Sequence, residues 1–416
     1  MMACVLYVSY TGLLEPLGRS QVLAYLTRLA PDHRITVISF EKSEDLKDDA
    51  AVAALRQECA QAGIRWLPRR YHHRPRIPAT AFDMATMVWD VWRHSRARRA
   101  DIVHCRSYLP AMAAWFSGVV TRVPFAFDMR ALWLEEKITA GRLKRGSVLH
   151  RGLQRAERRL LSKAATVVSL TDAAVRHLKA ENAQLEKQHF IVIPTCVDLK
   201  RFSLESASPS QRGRRDGLVM GSVGSIASGW FPLQWLVEAF RHLAALRPDS
   251  KLQVVTRDDP AELLAMARNA DIPEWSIQTW ASKPEDVPAA LAGMDFGVVF
   301  SQPELGRLGS LPTRMGEFLA SGIPVLGNRG VGDVAELIER YRVGAVVDDG
   351  SESSLSRGMG EMLDILAEPD LASRCRAAAE DYFSADRGAA IYGEMYTDLG
   401  GGCGATREPW ETAAFR

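Results

Sequence analysis

Residues 310–326 read Ser310-Leu311-Pro312-Thr313-Arg314-Met315-Gly316-Glu317-Phe318-Leu319-Ala320-Ser321-Gly322-Ile323-Pro324-Val325-Leu326. Several of these side chains could act on one ligand. Pro312 suits the first turn of a helix. The free N–H groups of such a turn, with the Ser310 and Thr313 hydroxyls beside them, favour an anion. Arg314 adds a guanidinium matched to phosphate oxygens. Glu317 lies one turn after Thr313 on the same helical face. A carboxylate there can accept two hydrogen bonds from a ribose diol. The same residues also read as a capped helix with a surface Arg and Glu, ended by Gly322-Ile323-Pro324 where a strand begins.

A second group lies earlier. Asp128 and Arg130 follow the apolar run Phe125–Phe127, at the carboxyl end of an expected strand, where parallel sheets face their ligands. Glu135 and Glu136 come soon after. One of these carboxylates could take a hydroxyl's proton, and Arg130 could hold a phosphate. An Asp–Arg pair that merely orders the loop is the competing reading. The chain contains no Asp-x-Asp pair, so a metal bridging a diphosphate is not indicated. The six cysteines form no CxxC pair and no zinc spacing, so they read as reduced, buried thiols.

These residues need a frame, and the apolar runs supply one. Strands are expected at residues 4–9, 35–40, 64–67, 102–105, 125–127, 166–169 and 190–193. A second series is expected at 218–223, 251–256, 277–280, 296–300, 324–327 and 345–347. Helical stretches separate most of them, including 20–30, 50–62, a basic helix over about 80–99, 233–246 and 313–320. Buried strands alternating with helices indicate parallel α/β sheets. The polar, turn-rich stretch 203–217 is the natural linker. Two doubly wound units therefore follow in tandem, with ligands expected between them. The expected domains are 1–205, 217–385, and a C-terminal helix end with a flexible Gly-rich tail over 386–416.

The 416 residues suit two or three domains, and 47% hydrophobic with 25% charged residues is an ordinary globular balance. No apolar run is long enough to span a bilayer, and the start lacks a signal peptide's pattern. A cytoplasmic location is the expectation. The net charge of +2 hides a split. Residues 1–215 hold 35 Lys+Arg against 20 Asp+Glu, and residues 216–416 hold 17 against 30. Residues 65–99 carry nine Arg, with Asp83 and Asp90 as the acids and Trp66, Tyr71, Phe82, Trp89 and Trp92 interleaved. Such a stretch suits an anionic membrane surface, placing the protein on the inner face of the plasma membrane. A solvated Arg-rich face is the competing reading. No RNA-binding motif appears, so nucleic acid is not expected as a partner.

The segment Pro312-Thr313-Arg314…Glu317-Phe318-Leu319-Ala320…Gly322-Ile323-Pro324-Val325 resembles the donor-binding signature of GT-B glycosyltransferases, close to glycosyltransferase family 4. Four further stretches fit in the family's order. They are Gly12-Leu13-Leu14-Glu15-Pro16-Leu17-Gly18-Arg19-Ser20-Gln21-Val22, Phe127-Asp128-Met129-Arg130-Ala131-Leu132-Trp133, Ile193-Pro194-Thr195-Cys196-Val197-Asp198 and Gly221-Ser222-Val223-Gly224-Ser225. The resemblance implies a GT-B fold, two Rossmann-like domains facing a central cleft. It implies retaining transfer from a UDP- or GDP-sugar, without cofactor or metal. The acceptor would be a glycan or polyprenyl-linked intermediate of polysaccharide biosynthesis. Glu317 would hold the ribose, with Ser310, Thr313 and Arg314 at the diphosphate. The loop from Gly12 to Gly18 and the turn at Gly224 and Ser225 would also approach the donor, since glycines permit close approach. Asp128, Arg130 and His104 are the catalytic expectations.

Two departures stand out. Many members carry a second Glu eight residues before the first, near the sugar, and here that position is Gly309, with Glu304 further upstream. Many also carry an Arg…Lys pair where this chain reads Gly224-Ser225-Ile226-Ala227-Ser228-Gly229-Trp230-Phe231. Arg314 is the replacement, helped by Arg307 or Arg257. These departures leave two alternatives: a nucleotide-sugar epimerase on the same fold, and an inactive nucleotide-sugar-binding subunit.

Overall fold

A computed structural model describes residues 2–96, 99–204 and 217–400. Most of the expected linker, residues 205–216, and the tail 401–416 lie outside the described residues.

Thirteen strands form among the described residues. In the first sheet they are β1 (Cys4–Ser9), β2 (Arg34–Glu41), β3 (Ile64–Arg70), β4 (Ile102–Arg106), β5 (Phe125–Asp128), β6 (Thr166–Ser169) and β7 (Phe190–Val192). In the second they are β8 (Val219–Val223), β9 (Lys251–Val255), β10 (Ile277–Trp280), β11 (Phe296–Val298), β12 (Val325–Asn328) and β13 (Gly344–Val347). The orders are β3-β2-β1-β4-β5-β6-β7 and β10-β9-β8-β11-β12-β13. Each sheet reverses direction beside its first strand, between β1 and β4 and between β8 and β11. Those are the switch points of doubly wound sheets.

The strands form where expected because both faces are covered. Every residue of β4, β5 and β12 is buried. Around the second sheet, Phe240, Phe296 and Phe300 pack on one side and Phe318 and Phe383 on the other. Within β8, a Cβ on Gly221 would stand 2.0 Å from Met294 Sδ, and within β11 a Cβ on Gly297 would strike the Phe318 ring. The Met294 turn before β11 and the helix that carries Phe318 seat close on this sheet only because those two residues lack side chains. Trp280 is 36% exposed on edge strand β10.

Packing groups the chain differently from its order. One compact unit is Met1–Asp128, Lys163–Thr166 and Ala390–Arg416, and the other is Met129–Ser162 with Val167–Ala389. The C-terminal helix Ala385–Gly400 contributes to both. In the first unit Tyr392 meets Tyr25 edge to face, with ring centroids 5.4 Å apart.

The helix expected over about 80–99 spans Arg76–Ser95, where Arg76 and Arg93 are balanced by Asp83 and Asp90, so it is not basic in itself. It packs beside the helix Tyr108–Thr121, where Ser117 Oγ donates to the Val88 carbonyl at 3.0 Å. Together these helices leave Ile77, Phe82, Trp89, Phe116, Val119 and Val120 exposed, with Ile77 at 82% and Val119 at 75%. Among the described residues no helix is long and apolar enough to cross a membrane.

Candidate functional site

The site is built on the carboxyl edge of the second sheet. Helix Thr313–Ala320 begins after Pro312, which takes the cap position rather than the first turn. Gly322, at φ 70°, ends the helix in the left-handed region. Ile323 N–H returns to the Phe318 carbonyl at 2.9 Å, and β12 follows.

Arg314 is aimed into the switch point. Its Nη1 donates to the Val223 carbonyl at the end of β8 (3.2 Å), and its Nη2 donates to the Phe300 carbonyl just beyond β11 (3.1 Å). The guanidinium carbon lies 5.0 Å from the Phe231 ring centroid. Burial lowers its pKa to about 10, opposed by the charge of Glu317. It still carries a full positive charge at neutral pH. Glu317, one turn along, is pushed up by burial and drawn back by Arg201 and Arg314. A half-buried guanidinium, with a half-buried carboxylate one turn away, suits a ligand with a diphosphate and a diol.

The turn after β8 completes this edge. Gly224 sits at φ 111°, a conformation that favours glycine, and a Cβ there would meet nothing nearer than Arg314 Nη1 at 3.8 Å. One oxygen of Asp258 accepts from Ser225 Oγ (2.6 Å), Ile226 N–H (2.7 Å) and Ala227 N–H (2.9 Å). The Ser225 hydroxyl first, and then the Ala227 N–H, hold this carboxyl below its usual range. Asp258 therefore shapes the turn. Ser225, expected at the donor, spends its hydroxyl on this clamp. Ser310 and Thr313 are half-buried, and a Cβ on Gly332 would lie 2.2 Å from the Ser310 carbonyl oxygen.

Of the proposed substitutes for a missing cation pair, Arg257 is exposed. Arg307 points to Trp230 and Glu136, with its guanidinium carbon 3.8 Å from the Trp230 ring centroid. A Cβ on Gly309 would stand 2.8 Å from the Leu132 backbone nitrogen. That close approach explains why no glutamate occupies this position.

The first sheet presents a different edge. Glu41, fully buried at the end of β2, accepts from Leu13 N–H (2.8 Å), Leu14 N–H (3.1 Å) and the Ser39 hydroxyl. A Cβ on Gly12 would lie 2.4 Å from Glu41 Oε2, and one on Gly18 would lie 1.9 Å from the Gly12 carbonyl oxygen. Both glycines are thus explained by the folding of this loop on itself, and Leu13 and Leu14 have no N–H to offer a phosphate. Arg19 pairs with Glu58 at 2.6 Å on the surface.

His104 and Asp128 do come together, with Nε2 and Oδ2 3.7 Å apart, but each side chain is 1% exposed. Tyr396 closes over His104 with its hydroxyl 2.7 Å from Nδ1, and Tyr392 donates to Asp128 Oδ2 at 3.1 Å. Burial raises the Tyr396 hydroxyl well above its ordinary pKa, so it stays protonated. The structure encloses the pair that the sequence reading placed at the ligand. Arg130 is half-buried at φ 59°, an uncommon conformation for a side-chain-bearing residue.

Among the described residues one group has metal-compatible spacing, Glu238, His242 and Glu352. Arg241 already bonds both glutamates, at 2.5 and 3.0 Å.

Two doubly wound parallel sheets, the second with a half-buried guanidinium at its switch point, are the architecture of the GT-B class. Residues 19–195 match the family model described as glycosyl transferase 4-like domain, and residues 217–364 match glycosyl transferases group 1. The chain belongs to the glycosyltransferases that join these two domains. Solved structures agree in fold. A glycosyltransferase from Rickettsia africae aligns at TM-score 0.70 and 16% identity, covering 96% of this chain and 98% of that one. Anabaena HepE in complex with UDP aligns at 0.67 and 16%, covering 96% and 100%. Sucrose-phosphate synthase from Thermosynechococcus elongatus aligns at 0.70 and 14%, covering 95% and 99%. No curated protein matches the sequence.

Proposed function

We propose that the chain transfers a hexose, with retention, from a nucleotide-diphosphate sugar held on the second sheet. The observation that carries this reading is the Arg314 guanidinium, fixed to the carbonyls that end β8 and follow β11. A leaving diphosphate gains charge as the glycosidic bond breaks, and a cation fixed beforehand in a dry site stabilises that charge without reorganisation. The reading gives this task to Arg314 rather than to a metal. Glu317 takes the ribose hydroxyls, with Thr313, Ser310 and the Gly224 turn around the diphosphate. Attack comes from the face the diphosphate leaves. The Anabaena neighbour, solved with UDP and with UDP-glucose, favours UDP as the nucleotide. Asp128 and His104 act as positioning residues that hold Tyr392 and Tyr396, while Arg130 remains the first-sheet cation for a phosphate.

The acceptor is a glycan or a polyprenyl-linked intermediate of polysaccharide assembly. The exposed Ile77, Phe82, Trp89, Phe116, Val119 and Val120 support this, because they lie on the helix Arg76–Ser95, which carries exposed Arg76 and Arg93, and on its neighbour. Apolar side chains beside arginines suit an anionic bilayer, at about 1 kcal/mol for each basic residue near the surface.

Thermal-shift screening against UDP- and GDP-sugars should raise the melting temperature with one of them, since a ligand of the folded state stabilises it. Silence across the panel would sink the reading. With the donor known, NMR of the product should give the donor's anomeric configuration, and EDTA should leave turnover unchanged. Sedimentation with anionic vesicles at low salt should carry the protein down, and Trp89→Ser should reduce the bound fraction. A wild-type protein left in the supernatant overturns the membrane assignment.

A further inference from the structure

The turn that follows β11 carries charge which the Arg314 cluster does not use. Glu304 and Arg307 share one turn, with Arg307 N–H donating to the Glu304 carbonyl at 2.8 Å. The Arg307 guanidinium stacks on Trp230. Its Nη2 is 3.3 Å from Glu136 Oε1, and the two side chains are 15% and 29% exposed. Burial lowers the Arg307 pKa and raises that of Glu136, while Glu136 and Glu304 oppose the loss of charge on Arg307. The wall is tied down: the Trp230 carbonyl accepts from Gln302 N–H at 2.8 Å, and buried Asn328 clamps Ser301 by accepting its N–H at 2.9 Å.

Two buried polar atoms here have no protein partner, Glu304 Oε2 and Arg307 Nε. One accepts and the other donates. Buried groups of this kind are normally paired with protein, water or ligand, so an acceptor and a donor left over on one turn suit a molecule that can serve both. The chemistry of that ligand is constrained. A phosphate would meet two carboxylates, Glu304 and Glu136. An ammonium group would meet the Arg307 cation. A neutral hydroxyl satisfies both atoms, because it donates to one and accepts from the other. Gly309, closed off by the Leu132 backbone, cannot bring a carboxylate to this place, whereas Glu304 can.

We propose that Glu304 and Arg307 form the subsite for the transferred sugar. Glu304 Oε2 accepts from a ring hydroxyl, and Arg307 Nε–H donates to the same or the adjacent hydroxyl. Trp230 and Glu136 hold the guanidinium in place. The inference rests on the nucleotide-sugar reading above, and it moves Arg307 away from the diphosphate and onto the sugar.

The test is titration calorimetry on the full chain with UDP- and GDP-hexoses and with the parent diphosphates. The sugar nucleotide that binds the wild type most tightly is then compared with its diphosphate in Glu304→Gln, Glu304→Ala and Arg307→Gln. The expected result is a loss of tenfold or more in affinity for the sugar nucleotide, with the diphosphate within twofold of wild type. Retained diphosphate binding also shows that each variant is folded, and Glu304→Gln keeps the side chain's shape should the alanine variant unfold. Equal changes for both ligands, or no change for either, overturn the subsite. A wild type that binds no member of the panel, or an Arg314→Ala variant with undiminished diphosphate affinity, overturns the donor site itself.

Discussion

The two sheets share one topology and carry opposite charges at their carboxyl edges. Beside the first switch point a buried carboxylate, Glu41, gathers the Leu13 and Leu14 N–H groups. At the second a half-buried guanidinium, Arg314, gathers the Val223 and Phe300 carbonyls. A glycine-containing loop follows the first strand of each sheet, yet the loops differ in what they can offer. The first is closed by an internal anion and has no need of an external one. The second presents a cation to its surroundings. Topology alone therefore does not say which switch point takes an anionic ligand. The sign of the side chain placed there is what separates the two edges.

Exchanging the roles of these two residues gives the largest expected effects. Arg314→Ala should lower donor affinity by about 100-fold or more, in line with the 2–5 kcal/mol that a buried charge contributes when its partner is lost. Calorimetry would measure it. Glu41→Ala should leave donor affinity within twofold and instead cost about 2–4 kcal/mol of stability, since two buried N–H groups lose their acceptor. A denaturant midpoint would report that loss. If Glu41→Ala abolished donor binding, or Arg314→Ala preserved it, the contrast between the edges would collapse.

The glycines sharpen the same contrast. Gly18 is needed for space, because a Cβ would lie 1.9 Å from the Gly12 carbonyl oxygen. Gly18→Ala should cost about 1–3 kcal/mol through overpacking. Gly224 is needed for conformation, at φ 111° with open surroundings. Gly224→Ala should cost about 1–2 kcal/mol in backbone strain and also weaken donor binding, whereas Gly18→Ala should leave binding intact. Equal effects of both on donor affinity would argue that the first loop does reach the ligand.

The smallest effect lies in pH. Burial raises the Glu317 pKa in the folded state, so the folded protein binds this proton more tightly than the unfolded chain. Stability from this group is then full below the unfolded carboxyl pKa of ~4.3 and is lost as pH rises through the raised folded value. Glu317→Gln removes that loss. The melting temperature of the variant relative to wild type should rise between pH 4 and pH 8, and a difference that stays flat or falls would contradict the burial argument.

Both sheets were legible from apolar runs because a parallel strand covered on two faces must be apolar almost throughout. Arg314 and Glu317 were legible because they lie one turn apart within a single helix. The clamps were not. Glu41 reaches Leu13 across 28 residues, and Asp258 reaches Ile226 across 32. Such pairings depend on strands brought side by side, and no local spacing records them. The enclosure of His104 and Asp128 depends on Tyr392 and Tyr396, which lie more than 260 residues downstream. A histidine and an aspartate at strand ends look the same in sequence whether they face a ligand or a tyrosine.

That enclosure bears on the order in which the protein can mature. The residues that seal β4 and β5 lie in the helix Ala385–Gly400, so they leave the ribosome more than 260 residues after the strands they cover. Domains generally fold as units during synthesis, the N-terminal one first. Here the unit that begins the chain must wait for its lid, with an Asp128 carboxylate and a His104 ring still wet, until residues 392 and 396 emerge. A nascent chain arrested at residue 380 should therefore yield an N-terminal unit that proteases cut readily, and one that includes the helix through Gly400 should resist them.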